Sequence, residues 1–263
     1  MNSYFDSQTY FSYLLEHCTE EFSADGKGRL AGGRQLLFFL DQLDIRPEHA
    51  TLEVGCGTGR VLTVLAERYG VEPHGVDPCR PAVDYLHRQH PDWAPRIAHV
   101  PDGVLTSLPG RFFDRIVFWG VFELTDQVRT LVEISRAARP GARILVNGVR
   151  NADFRDDDTA MAEAVAAYRD KRIPIMLTRI DRLEALMAFL GFSIDRRFIF
   201  LRKEDVVEDR FEADRDTTRF AEATYILSKS ETVPADLDIA ATAYESPHAS
   251  SLEAATGLAK PES

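Results

Sequence analysis

The sequence predicts an α/β fold in which strands and helices alternate along the chain, and three observations carry that prediction. First, the apolar, β-prone run Ala50 to Val54 breaks into Gly55-Cys56-Gly57-Thr58-Gly59 and continues as Val61, Leu62, Val64 and Leu65 at helical spacing. That pattern is strand, tight turn, helix. Second, a strand pattern over Val71 to Val76 ends in Asp77, 18 residues beyond Gly59. Third, strand-like and helix-like segments keep alternating as far as Val149, the order that builds parallel sheets with helical crossovers.

Residues 4 to 22 carry Tyr4, Phe5, Tyr10, Phe11 and Tyr13, then Leu14, Leu15 and Phe22, consistent with an amphipathic leading helix. Ser23 to Gly33 holds four glycines and reads as a loop, and Arg34 to Leu43 as a helix ending before Pro47. Glycines suit the corner at 55–59 because a Cβ would keep the backbone away from a ligand and because such turns demand positive φ. After the corner and its helix to Tyr69, strand two leads to a helix over Pro81 to His90, and Arg96 to Val100 reads as strand three. Phe113 to Glu123 is strand four and its exit. Asp126 opens a helix through Ala138, and Arg139-Pro140-Gly141 turns into strand five, Arg143 to Val149.

Residues 151–190 are longer than a simple connection requires and are expected to form a lid. In it, Asp156-Asp157-Asp158 can start a helix bearing Met161, Ala164, Val165 and Tyr168. Three adjacent acids on a helix point in different directions, so a solvated helix start is favoured over a metal site, and no metal is expected. Arg179 to Leu190 reads as the final helix, stopped by Gly191, and Phe192 to Leu201 and Thr217 to Ser228 as two long strands. From Ser230 the composition shifts to Ala, Ser, Thr, Pro and acids, with six acids against one Lys, so residues 230–263 are expected to be a disordered acidic tail. The expected organisation is a helical leader over 1–46, a single α/β domain over 47–229 and that tail.

Composition sets bounds on function. A chain of 263 residues can bury one substantial core. Its net charge of −11 disfavours a protein that grips a polyanion by neutralising phosphates, so nucleic acid is not the expected partner. Cys18, Cys56 and Cys79 are odd in number and widely spaced, which suggests neither a disulfide framework nor a zinc site. Without an export signal or an apolar run long enough for a bilayer, a soluble, cytoplasmic protein is expected, with no membrane partner. A homodimer is left open.

With Glu53 two residues before Gly55, the run Glu53-Val54-Gly55-Cys56-Gly57-Thr58-Gly59 resembles the first motif of the class I S-adenosylmethionine-dependent methyltransferases. The Arg139-Pro140-Gly141 turn resembles that family too. The resemblance implies a Rossmann-like seven-stranded, mostly parallel sheet with an antiparallel final strand inserted between the fifth and sixth, and helices on both faces. It implies S-adenosyl-L-methionine as cofactor, held by Glu53, Gly55, Cys56, Gly57, Gly59, Asp77, Pro78, Asp102, Gly103, Phe118 and Trp119. Asp77 would take the ribose hydroxyls, and Asp102 with the Gly103 amide the adenine edge, although Asp102 also suits a helix N-cap. Trp119 could place its ring beside the sulfonium or simply pack in the core.

A sulfonium methyl is already activated, so the cofactor carries the hard chemistry and the protein must align the acceptor. A general base is needed only for acceptors that lose a proton early. Candidates are Glu123 at the exit of strand four, Tyr10 and His17 on the leader, and Asp153 after strand five. Each has an ordinary reading, Glu123 as a helix-start acid and His17 as a surface residue, and His99 reads as a strand residue. The chain departs from many small-molecule members by having Leu124-Thr125-Asp126 after Glu123 where they place a His, which puts a His-based mechanism in doubt. The expected reaction is O- or N-methylation of a small soluble acceptor. Against nucleic-acid methylation stands Phe118-Trp119-Gly120-Val121 in place of an Asn/Asp-Pro-Pro-Tyr signature. Against a nicotinamide dehydrogenase stands the G-x-G-x-G spacing. The alternatives are a regulatory protein that binds the cofactor without turnover, or a methyltransferase acting on nucleic acid or protein.

Overall fold

The computed structural model describes residues 5–18, 29–101, 103, 105–152, 176–200, 211–212 and 220–231. Five strands alternate with helical segments up to residue 150: β1 Thr51–Val54, β2 Pro73–Asp77, β3 Ile97–His99, β4 Phe113–Phe118 and β5 Ala138–Arg150. Then come β6 Phe192–Phe200, the two-residue β7 Phe211–Glu212 and β8 Glu222–Lys229. The sheet order is β3-β2-β1-β4-β5-β8-β6-β7. Strands β1 to β5 run parallel, and β8 enters antiparallel between β5 and β6. Seven strands thus lie in the Rossmann-like order expected. The short β7, which has no readable period in the sequence, adds an eighth at the β6 edge.

Alternation along the strands explains the two helical layers. Ile116 and Phe118 of β4, Ile144 and Val146 of β5, and Tyr225 and Leu227 of β8 face one core, shared with α5 (Gln127–Ala137) and α6 (Ile180–Phe189). Val117, Leu145 and Ile226, one residue out of phase, face a second core with α2 (Arg29–Asp41) and α3 (Arg60–Tyr69). Cys56, Leu62, Val83, Leu86, Trp93 and Ile97 form a third group where α3 meets α4 (Arg80–Gln89). The leading helix α1 (Gln8–Cys18) closes the cleft end, placing Phe11 and Leu14 on Cys79 and Ala82.

The boundaries around α2 and β5 differ from those read in the sequence for reasons that the packing shows. Helix α2 begins at Arg29 and includes Gly32 and Gly33, although glycine costs about 1 kcal/mol in a helix interior. Full burial of Leu36, Phe39 and Leu40 carries the helix past that preference. Strand β5 starts at Ala138, and its Arg-Pro-Gly segment is a bulge: Phe113 pairs with Ala138, then Arg115 with Arg143, with Gly141 at φ 81°. The helix expected to run through Ala138 ends at Ala137 for the same reason. Asp102, Asp153, Asp156 to Asp158, Tyr168 and the tail from residue 232 lie outside the described residues, as does the side chain of His17.

Candidate active site

The glycine corner is hung on the neighbouring strand. Gly55 N–H and Cys56 N–H both donate to the Val76 carbonyl, at 2.8 and 3.1 Å. Gly59, at φ 88°, opens α3, and a Cβ there would lie 2.5 Å from Leu86 Cδ2. At Gly55, φ 78°, a Cβ would meet Val121 Cγ1 at 2.6 Å. Both positions therefore require glycine twice over, for backbone conformation and for space.

Asp77 ties the tip of β2 to the corner. Its Oδ2 accepts from Gly57 N–H at 2.7 Å and its Oδ1 from Cys79 N–H at 2.8 Å. Burial pushes the carboxyl up to about 6, against the pull of these two amides. Glu53 is buried beside it, 3 % exposed, with the Leu62 amide at the start of α3 as a hydrogen-bond donor. Desolvation and then the Asp77 charge push the Glu53 carboxyl well above the ordinary range, and its Oε2 has no hydrogen-bond partner among the described residues. A buried oxygen of that kind is completed by a donor from water or a ligand, and Glu53 is not among the residues lining the cleft described next.

A cleft opens over this corner, and Gly55, Asp77, Pro78 and Gly103 line it. Val121, Leu124 and Thr125 close one side after β4, Thr130 reaches in from α5, and Phe5 and Tyr10 of the leader cover it. Phe5 and Tyr10 meet edge to face with ring centroids 5.1 Å apart.

Other sequence candidates have different neighbours. Cys56 turns its thiol toward Gly75 and Ile97, away from the cleft, so it can offer a ligand only backbone. The Phe118 ring is fully buried against Phe122, at 5.6 Å, and the Trp119 ring packs toward Phe39 at 6.3 Å. Neither ring is among the residues lining the cleft. The Glu123 carboxylate is held by Arg150, with Nε at 2.7 Å and Nη2 at 3.3 Å, and its carbonyl accepts from Met176 N–H at 2.7 Å. His99 Nε2 is 2.9 Å from the Pro78 carbonyl, beneath the cleft floor. The lining residues Val100, Leu105, Leu124, Thr125 and Thr130 carry no mark of the site in the sequence, because nothing local distinguishes a residue whose neighbours come from other strands.

Residues 24–196 match the family described as "Methyltransferase domain". The chain belongs to this family. It is 25 % identical over 171 residues to "Methyltransferase GfsG" of Streptomyces halstedii, covering 62 % of this chain and 60 % of that protein. Against an "O-methyltransferase" of Pyrenophora dematioidea it is 24 % identical, covering 63 % of this chain and 62 % of the relative. The chain thus spans about 60 % of the length of these curated relatives. Among solved structures, geranyl diphosphate C-methyltransferase from Streptomyces coelicolor A3(2), in complex with S-adenosyl-L-homocysteine, superposes with a TM-score of 0.58 at 15 % identity, covering 75 % of this chain and 79 % of that one. Haemonchus contortus phosphoethanolamine N-methyltransferase 2, also with S-adenosylhomocysteine, gives a TM-score of 0.59 at 16 % identity, covering 88 % of this chain and 60 % of that one. At such identities the likeness shows a shared fold. No helix among the described residues of this methyltransferase-family chain is long and apolar enough to cross a membrane.

Proposed function

We propose that the protein is an S-adenosylmethionine-dependent methyltransferase acting on a small soluble acceptor at oxygen or nitrogen. The observation that carries this reading is Asp77: a carboxylate at the tip of β2, bonded to the Gly57 amide and lining the cleft. Its remaining lone pairs suit two ribose hydroxyls, while Gly55, Gly57 and Gly59 let the backbone approach. Glu53 Oε2 offers a buried acceptor for a cationic group such as an ammonium. Gly103 and Asp102 would flank the adenine, and Pro78 its ribose side. Phe118 and Trp119 would contribute backbone alone. These residues fit the cofactor family membership implies.

The cofactor, when bound, supplies an electrophilic methyl on a sulfonium. The chain's part is to align the acceptor with it and to keep water out, and orientation of that kind is worth about 7–11 kcal/mol of barrier. Phe5, Tyr10, Val121 and Leu124 give the cleft an apolar wall suited to excluding water. Glu123 is engaged by Arg150, which favours a role in holding the turn after β4 to the end of β5 over a role as free base. Tyr10, which lines the cleft, is then better placed than Glu123 to meet an acceptor.

Binding and turnover are separate tests. Calorimetry with S-adenosylhomocysteine asks whether the cleft is a nucleoside site. Incubation with methyl-labelled cofactor and fractionated small molecules then asks for transfer, and transfer of label to a small acceptor is the expected result. Binding without transfer to any fraction would favour a regulator that senses the cofactor.

A further inference from the structure

We propose that Asp6 and His99 latch residues 5–18, the segment that carries α1, over the nucleoside end of the cleft, making that segment a gate for cofactor and product exchange. The inference rests on the cleft being the S-adenosylmethionine site. Helix α4 begins directly after Asp77 and Pro78, and its N-cap Cys79 makes no side-chain capping bond. Asp6 supplies the missing acceptor from another part of the chain: its Oδ1 takes the Arg80 N–H at 2.8 Å, at the end of the helix that favours negative charge. The same oxygen lies 3.4 Å from His99 Nε2.

His99 joins the latch to the cleft floor. Its Nε2 sits 2.9 Å from the Pro78 carbonyl, which can only accept, so Nε2 carries the hydrogen. That hydrogen goes to Pro78, and Asp6 Oδ1 stands 3.4 Å from the same nitrogen. The His99 side chain is buried, 6 % exposed, whereas the Asp6 side chain is 39 % exposed. A ring fixed on the sheet thus stands beside a carboxylate on the leader that water can reach.

The neighbours of Asp6 show what the latch holds. Phe5, 3 % exposed, lines the cleft with Tyr10. Ser7 Oγ accepts from Tyr10 N–H at 3.1 Å and so starts α1. Leu14 of that helix lies 3.8 Å from where a Cβ on Gly57 would stand. A ligand beneath Phe5 and Tyr10 is therefore covered by a segment fastened between those rings, and lifting the segment breaks the contacts of Asp6. A polar fastening open to water on one side suits repeated opening.

The test follows exchange rates of radiolabelled S-adenosylhomocysteine on the full chain. Asp6→Ala is expected to release the ligand about tenfold faster and to bind it faster as well, since a gate limits passage in both directions. Asp6→Asn keeps an oxygen for Arg80 N–H but loses the charge facing His99, and is expected to fall between. His99→Gln retains an N–H donor and should stay closer to the parent than His99→Leu. If the His99 variants fail to fold, the exposed Asp6 pair still decides. Release from Asp6→Ala within twofold of the parent would overturn the latch. Faster release with unchanged association would make Asp6 a ligand contact and overturn the gate. No binding by the unaltered chain would overturn the cofactor reading and the latch together.

Discussion

Asp77 has the sharpest chemistry of any single residue here. It is buried, yet both oxygens accept backbone amides, and burial wins by enough to leave the carboxyl at about 6 against an ordinary 3.8. Between those values the folded, ligand-free chain keeps a proton that the unfolded chain has lost, so this group's contribution to stability falls as pH rises through that window. Ribose hydroxyls donating to the carboxylate favour its charged form, so S-adenosylhomocysteine binding should tighten as pH rises through about 6, with proton release. Calorimetry between pH 5 and 8 in two buffers of different ionisation enthalpy checks this, and Asp77→Ala should lose that step together with about 1.5–3 kcal/mol of binding. Equal affinity in a folded Asp77→Ala protein would remove Asp77 from the site. At the same scale, burial pushes the Cys79 thiol up to about 11 and the Cys56 thiol well above its usual range. Neither should be alkylated in the native protein at pH 7.5, whereas denaturant should expose both, as peptide mass mapping would show.

Among the elements, the corner and the helix after β4 respond to substitution for different reasons. Gly59→Ala meets both positive φ and Leu86 Cδ2 at 2.5 Å, which predicts a loss of at least about 1–2 kcal/mol together with weakened cofactor binding, because the strained atoms belong to the turn itself. Asp126 caps α5 by accepting from Arg129 N–H at 3.1 Å and lies outside the cleft lining. Asp126→Ala should therefore cost about 1 kcal/mol of stability by denaturant titration while leaving cofactor affinity unchanged. A change in affinity there would mean that α5, through Thr130, sets the cleft width more directly than its cap suggests.

For the molecule as a whole, β8 between β5 and β6 is what closes the fold. Asn147 Nδ2 donates to Thr224 Oγ1 at 2.9 Å across β5 and β8, and Tyr225 OH and Arg197 both donate to Glu184 of α6, at 3.0 and 3.1 Å. Chain elements far apart in sequence are needed at once, so unfolding monitored by tryptophan fluorescence and by far-UV circular dichroism should coincide in one transition. The composition of residues 232–263 lacks the apolar period needed to dock on this core. Removing them is expected to leave the melting temperature and S-adenosylhomocysteine affinity unchanged, and a large fall in either would show that the segment packs.

What the chain spells out locally could be read without coordinates. Strand, glycine turn and helix are consecutive, and Asp77 marks the end of an apolar run, so Glu53, the three glycines and Asp77 were legible from spacing and from likeness to a family. Folding then joined Asp77 to Gly57 across 20 positions, as parallel pairing of β1 with β2 requires. Other relations had no local sign. The bond of Asp6 to Arg80 spans 74 positions and that of Glu123 to Arg150 spans 27, and each depends on which strands become neighbours. The sequence could name Glu123 as a candidate base but could not show its carboxylate already occupied, nor tell that the Phe118 and Trp119 rings turn into the two cores. Side-chain direction at the end of a strand follows from pleat and register, and only the assembled sheet decides those, because a shift of one residue reverses every face.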